Sequence, residues 1–328
     1  MSIASSVPWG LLLPAAALVT LSFTSGSDGP PSPATSAAST WTMLHRHRGE
    51  LRGFGGLGAR LTDVVQRGNT VIAAADPGSL RSVDGGTTWN EIPELRRAAS
   101  VAFTNNGVVV AGRTWEGMSR SVNDGDTWTD VKTDADGPMW SVVFAGDTGF
   151  ATSAGSLLRS VDGGQSWRRS PTDRTIWNDL AVAGRTAIAV GGAGRVARTA
   201  DGGETWQTHW LPDEHGLNGV AFADDRIVVI VGSDGAIIRS TDAGLSWSAV
   251  SSPARAHLRA VAFASPTEGL AVGFWGEAIR TRDGGASWTR ERTGTRMHLL
   301  AVTARPGGGF LVSGTGETVL AVTPGGVR

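Results

Sequence analysis

From about residue 60 onward, short runs of β-branched and aromatic residues alternate with turn-forming segments, and the runs recur in a fixed order. Val-Ala-Phe at 101, Val-Val-Phe at 142 and Val-Ala-Phe at 220 and 261, with weaker forms at Leu180 and Val302, predict one strand per repeat that lines an interior. A second strand follows at 108–111, 187–190, 227–231 and 269–272, then a glycine-containing turn and a third strand, as at 156–159 and 236–239.

The third strand runs each time into one phrase. It begins at Arg81, Arg120, Arg159, Arg198, Arg239 and Arg280, at intervals of 39, 39, 39, 41 and 41 residues. The copies carry Ser82, Asp84, Gly86 and Trp89; Ser121, Asn123, Gly125 and Trp128; Ser160, Asp162, Gly164 and Trp167; Thr199, Asp201, Gly203 and Trp206; Ser240, Asp242, Gly244 and Trp247; and Thr281, Asp283, Gly285 and Trp288. This is the Asp-box, or BNR, motif. The hydroxyl and the carboxylate offer short acceptors to nearby backbone amides and hold a turn, while the glycine permits positive φ. The tryptophan then opens a fourth strand with a side chain large enough to fill the gap to neighbouring structure. Asn123 replaces the acid in the second copy and keeps an acceptor oxygen. The repeated arginine is expected to be structural, its stem packed and its head in solvent.

A period near 40 with four strands per repeat predicts an all-β propeller whose blades cannot bury their faces alone. Three strands of a further blade are legible at 298–303, 309–313 and 317–322, with no box after them. Its missing fourth strand is supplied from upstream, where Ser39-Thr40-Trp41-Thr42-Met43-Leu44 reads like the second half of a box and its outgoing strand. Seven blades over 39–328 result, the last closed by the first strand, which leaves no open inter-blade edge.

Ahead of this domain, 7–23 is mostly apolar, broken by Pro14, and 28–38 is rich in Ser, Pro and Ala. That order predicts a signal peptide or anchor over 1–27 followed by a flexible linker, although no Lys or Arg precedes the apolar run. The expected location is extracytoplasmic: periplasmic, secreted or membrane-tethered through 7–23.

Composition narrows the chemistry. Twenty-nine Lys and Arg against 30 Asp and Glu give a net charge of −1, which provides no general attraction for nucleic acid. With no cysteine, a disulfide framework, a thiolate zinc site and a cysteine nucleophile are all excluded. Gly53 to Gly58 formally matches a dinucleotide fingerprint but lacks the strand before it and the helix after it, and reads as a connection. His45 and His47 lack a convincing third ligand and read as solvated residues at a strand end. No metal or cofactor is expected.

The side chains that do not recur in every blade are the candidates for function. Loops on the face opposite the boxes should present Arg60, Arg97, Trp140, Trp177, Asn178, His257, Arg259, Arg296 and His298 ahead of the inner strands, and Trp115, Glu116, Trp275 and Glu277 between second and third strands. Trp and Arg are the residues most often found as interface hot spots.

Repeated forms such as GSLLRSVDGGQSW and GAIIRSTDAGLSW, and inner strands such as LNGVAF and LRAVAF, resemble the photosystem II stability/assembly factor family over residues 39–328. The resemblance implies a non-catalytic, monomeric scaffold that binds a membrane or exported protein from the extracytoplasmic side. An alternative on this fold is a glycosidase. The sialidase mechanism with its tyrosine nucleophile is excluded because the chain has no tyrosine, and a two-carboxylate hydrolase would draw on Glu116, Asp179, Asp234 or Glu277. A third reading is a carbohydrate-binding module with Trp115, Trp140, Trp177 and Trp275 as stacking platforms.

Overall fold

The computed structural model describes residues 39–45, 60–115, 117–134, 137–172, 175–212 and 215–323. Its 28 strands form seven antiparallel four-stranded sheets. The inner strands are Arg60–Arg67, Ala98–Phe103, Met139–Ala145, Trp177–Ala183, Leu217–Phe222, Leu258–Phe263 and Leu299–Ala304, in blades 1 to 7. Blade 7 is completed by Trp41–His45, which pairs antiparallel with Thr318–Val322, as the half-box at Ser39 to Leu44 implied. The leader, the linker, His47, the glycine run at 53–58 and Glu116 lie outside the described residues.

The core is built between blades. Ile72, Ile92 and Leu95 of blade 1 pack on Val101, Val109 and Trp128 of blade 2. The same arrangement closes the circle, where Leu61 and Val64 of blade 1 meet Leu311, Val319 and Ala321 of blade 7.

Each box holds its turn as its residue types require. In blade 1 the Gly86 N–H donates to Ser82 Oγ at 2.8 Å, Ser82 Oγ donates to Asp84 Oδ1 at 2.8 Å, and Thr88 gives its backbone N–H (2.8 Å) and hydroxyl (2.6 Å) to the same carboxylate. These donors, the Thr88 hydroxyl first, hold the Asp84 carboxyl down to about 2. Asn123 does the equivalent by accepting from the Thr127 N–H and donating to its hydroxyl, both at 3.0 Å.

The box glycines have a second reason. A Cβ on Gly125, Gly164, Gly203, Gly244 or Gly285 would fall 2.5 to 2.6 Å from Ile72, Val110, Phe150, Ile188 or Val229, in each case a second-strand side chain of the preceding blade. For Gly86 the obstructing atom, at 2.8 Å, belongs to Leu44 of the closing strand.

The repeated arginines differ from expectation, because their heads are not left to solvent. Arg81, Arg120, Arg198 and Arg239 donate through Nε to Asp124, Gly163, Ala243 and Gly284, the box-turn carbonyls of the next blade, at 2.7 to 3.0 Å. Guanidinium groups thus link blade to blade. Arg280 precedes the blade without a box; it is fully buried and pairs with Glu268 and Glu291, and Ser39 Oγ donates to Glu291 at 3.0 Å. The box tryptophans fill the gaps as expected: Trp128, Trp167 and Trp288 are buried, and Trp89, Trp206 and Trp247 are half-buried.

Candidate functional site

Every inner strand slips register by one residue near its start, between 61/63, 98/100, 139/141, 177/179, 217/219, 258/260 and 299/301. Such a bulge re-aims the extra residue. Those residues are Thr62, Ala99, Trp140, Asn178, Asn218, Arg259 and Leu300, and all but Asn218 line the central cavity. Several reach sideways. Asn178 and Asn218 donate to Leu217 and Leu258 carbonyls at 2.8 and 2.9 Å, Thr62 donates to the Ala98 carbonyl at 3.1 Å, and Arg259 Nη1 donates back to the Asn218 carbonyl at 2.7 Å.

One residue further along, Asp63 and Asp179 face this cavity of about 310 Å³. Asp63 accepts from the Val64 and Val101 N–H groups at 2.8 and 2.9 Å, and Asp179 from the Val220 N–H at 3.0 Å. Burial outweighs these bonds. It pushes the Asp63 carboxyl up to about 7 and raises that of Asp179 as well, against the Val220 N–H, the Ser141 hydroxyl and the Arg259 charge. The cavity is therefore lined by two carboxyls that hold protons more tightly than usual, one guanidinium and a half-exposed indole, Trp140.

A second cleft of about 410 Å³ lies between blades 1 and 2, lined by Arg96, Arg97, Arg113 and Trp115. Arg97 has φ 56° and is fixed there by its N–H to the Pro77 carbonyl (3.3 Å) and its carbonyl to the Thr114 N–H (2.9 Å). Arg113 is engaged with Asp130 at 2.8 Å, whereas Trp115 is 72% exposed.

The third grouping is an aromatic ledge over blades 5 to 7. The rings of His257 and Phe274, Phe274 and His298, and His298 and Trp275 lie 5.9, 4.8 and 4.5 Å apart. Trp275 sits at φ 60°, ψ 28°, a left-handed conformation that costs an L-residue about 1–2 kcal/mol. The matching turn of blade 5 puts Asp234 there at φ 56°. Each turn is pinned by a histidine of the next blade: His257 Nδ1 accepts from the Asp234 N–H at 2.9 Å and His298 Nδ1 from the Trp275 N–H at 3.1 Å.

The structure thus gathers Trp140, Asn178 and Arg259 at the channel, Arg97 and Trp115 in the cleft, and His257, Trp275 and His298 on the ledge. Arg60 and Arg296 are exposed on the same side. Trp177 requires correction: it is fully buried among Phe150, Leu157 and Leu180 and offers no surface to a partner or a sugar. It precedes the bulge, where the other blades bury Leu61, Ala98, Met139, Leu217, Leu258 and Leu299.

Of the proposed hydrolase carboxylates, Glu277 is buried and held bidentate by Arg290 at 2.8 and 2.9 Å, and Asp234 is exposed beside His257. Asp179 is the one of the three described candidates that lines the channel, and it shares that cavity with Asp63, which sequence reasoning missed. Asp63 had a signal, an acid inside an inner strand where blades 2, 3, 5, 6 and 7 carry Ser100, Ser141, Gly219, Ala260 and Ala301. His45 is also less solvated than expected, half-buried with its ring 5.7 Å from Trp89.

No family profile and no curated protein matches the chain. Among solved structures, it is similar to YCF48 from Cyanidioschyzon merolae, at 16% identity and a TM-score of 0.70, covering 86% of this chain and 98% of that one. A structure of YCF48 bound to D1 peptide matches at 17% and 0.69, over 88% and 99%. A streptogramin B lyase matches at 12% and 0.73, over 89% and 100%. These likenesses establish the seven-bladed fold, which serves a peptide-bound protein and a lyase alike.

Proposed function

We propose that this chain is a non-catalytic extracytoplasmic scaffold that holds a protein partner on the face opposite the boxes and assists the assembly or stability of a membrane or exported protein. The observation that carries this reading is the placement of large apolar side chains where folding does not need them. Trp115, Trp275 and Trp210 are 72%, 70% and 57% exposed, whereas the boxes bury or half-bury theirs. Exposed indoles beside arginines are the usual anchors of protein interfaces. That a YCF48 structure of the same fold holds a D1 peptide agrees with a polypeptide ligand.

The extracytoplasmic placement rests on the apolar run at 7–23 and the Ser/Pro/Ala segment after it. Fusing residues 1–40 to a reporter active only outside the cytoplasm tests it.

The binding reading is tested by co-purification from solubilised membranes with wild-type protein and with an Arg97→Ala/Trp115→Ala variant. Retained thermal midpoint with loss of the partner supports it. Undiminished capture removes the cleft from the site.

A further inference from the structure

The aromatic ledge combines three properties that the fold does not require. Glycine would hold the Trp275 turn without strain, and aspartate, which tolerates the left-handed region better, holds the matching turn of the preceding blade at Asp234, so the indole is not there for the turn. Its side chain is 70% exposed, makes no hydrogen bond among the described residues and packs edge-on against the His298 ring, so it adds little to the core. A flat apolar surface is held open at a fixed angle.

The polar atoms left around it are of one kind. Because His298 and His257 each accept a backbone N–H through Nδ1, their neutral rings carry the proton on Nε2, where neither has a partner among the described residues. The Trp275 indole N–H is a third open donor. Most acceptors nearby already receive a hydrogen: the carbonyls of Phe274, His257 and His298 accept the Glu277, Phe274 and Thr315 N–H groups, the Gly276 carbonyl accepts the Thr293 hydroxyl, and the Glu277 carboxylate is bound by Arg290. The Asp234 carboxylate is exposed at the far end, 3.7 Å from His257 Nδ1.

A ligand matched to this ledge presents a flat apolar ring and more acceptors than donors. Proline in an extended left-handed helix does both, since its ring is apolar and its nitrogen carries no hydrogen while every carbonyl remains free. Aromatic ledges with aligned N–H donors are how such segments are recognised. A saccharide fits less well, because each hydroxyl is donor and acceptor at once and its donors would find few partners here.

We propose that Trp275, Phe274, His298 and His257 form a docking site for an extended, proline-rich segment of the partner, an assignment that rests on the protein-binding reading above. The full chain is titrated calorimetrically with acetylated decaproline, a Gly-Ser decapeptide and chitohexaose. Saturable binding of decaproline alone is expected. A Trp275→Gly variant should bind it at least tenfold more weakly, the factor set by 1.4 kcal/mol, with a thermal midpoint equal to or above wild type because the left-handed turn is relieved of its side chain. Absence of decaproline binding, equal binding by Trp275→Gly, or binding of chitohexaose instead would overturn the assignment. If decaproline fails while changes at Arg97 and Trp115 still release a protein partner, the ledge assignment falls alone. If no part of the face holds a protein, the scaffold reading falls with it.

Discussion

Replacing Trp177 by alanine separates a surface role from a structural one. The indole is fully buried between blades 3 and 4, against Phe150, Leu157 and Leu180. A buried aromatic of roughly 200 Å² at about 25 cal/mol per Å² contributes on the order of 5 kcal/mol, and a compact unfolded state lowers this to about 3–4.5 kcal/mol. Among the described residues its Nε1 is buried without a hydrogen-bond partner, and leaving a donor in that state costs about 1–3 kcal/mol, part of which truncation returns. The expected net loss for Trp177→Ala is therefore about 2–4 kcal/mol. Trp177→Phe keeps much of the apolar contact and removes the orphan donor, so it should cost less than about 1.5 kcal/mol. Urea unfolding followed by circular dichroism measures both, and the alanine variant should melt roughly 5–10 °C lower. A loss below about 0.5 kcal/mol for Trp177→Ala would put the indole at the surface and refute the register of blade 4.

Deleting residues 39–45 should open the ring, because the strand at 318–322 loses its partner and Gly86 loses its contact with Leu44; removing 1–27 should leave the melting temperature unchanged, and two equally stable monomers would contradict closure by the first strand. The pH dependence follows from opposite shifts. With its folded-state carboxyl raised to about 7, Asp63 adds stability that is fully present below its ordinary value of 3.8 and is lost as pH rises toward 7, on the order of 4 kcal/mol at most. Asp84 and Asp242, held down to about 2, act the other way: their contribution is present above 3.8 and lost as pH falls through 2. Urea midpoints should therefore peak near pH 4–5, and Asp63→Asn should flatten the decline toward pH 8; parallel profiles for the two proteins would remove Asp63 as its cause.

Blade number, strand order and ring closure were legible because the box repeats and because half of one, Ser39-Thr40-Trp41, stands alone at the start of the domain. The arginine clasps were not, since a sequence shows Arg81 beside its own box and not beside the next blade's carbonyl at Asp124. Trp177 was misplaced for a related reason. A one-residue bulge reverses which side chains face inward, so the residue just before each bulge is core while the bulged residue, Asn218 excepted, lines the channel. Aligning Trp177-Asn178-Asp179-Leu180 with Leu217-Asn218-Gly219-Val220 would have revealed it, for Trp177 falls on a leucine and Asn178 on Asn218. The ledge was half legible. His257, Trp275 and His298 stood out as non-repeating, but Phe274 did not, and stacking between rings from two adjacent blades is a contact that spacing cannot encode.

The most direct test of a partner-binding face is site-specific photo-crosslinking in living cells of the source organism. A photoreactive phenylalanine analogue replaces Trp115 or Trp140 on one face, and Val122 or Leu245, both exposed beside box turns, on the other. Crosslinks to one and the same polypeptide from positions 115 and 140, with none from 122 or 245, are the expected result. Crosslinks confined to 122 and 245 would place the partner on the box face and contradict the account.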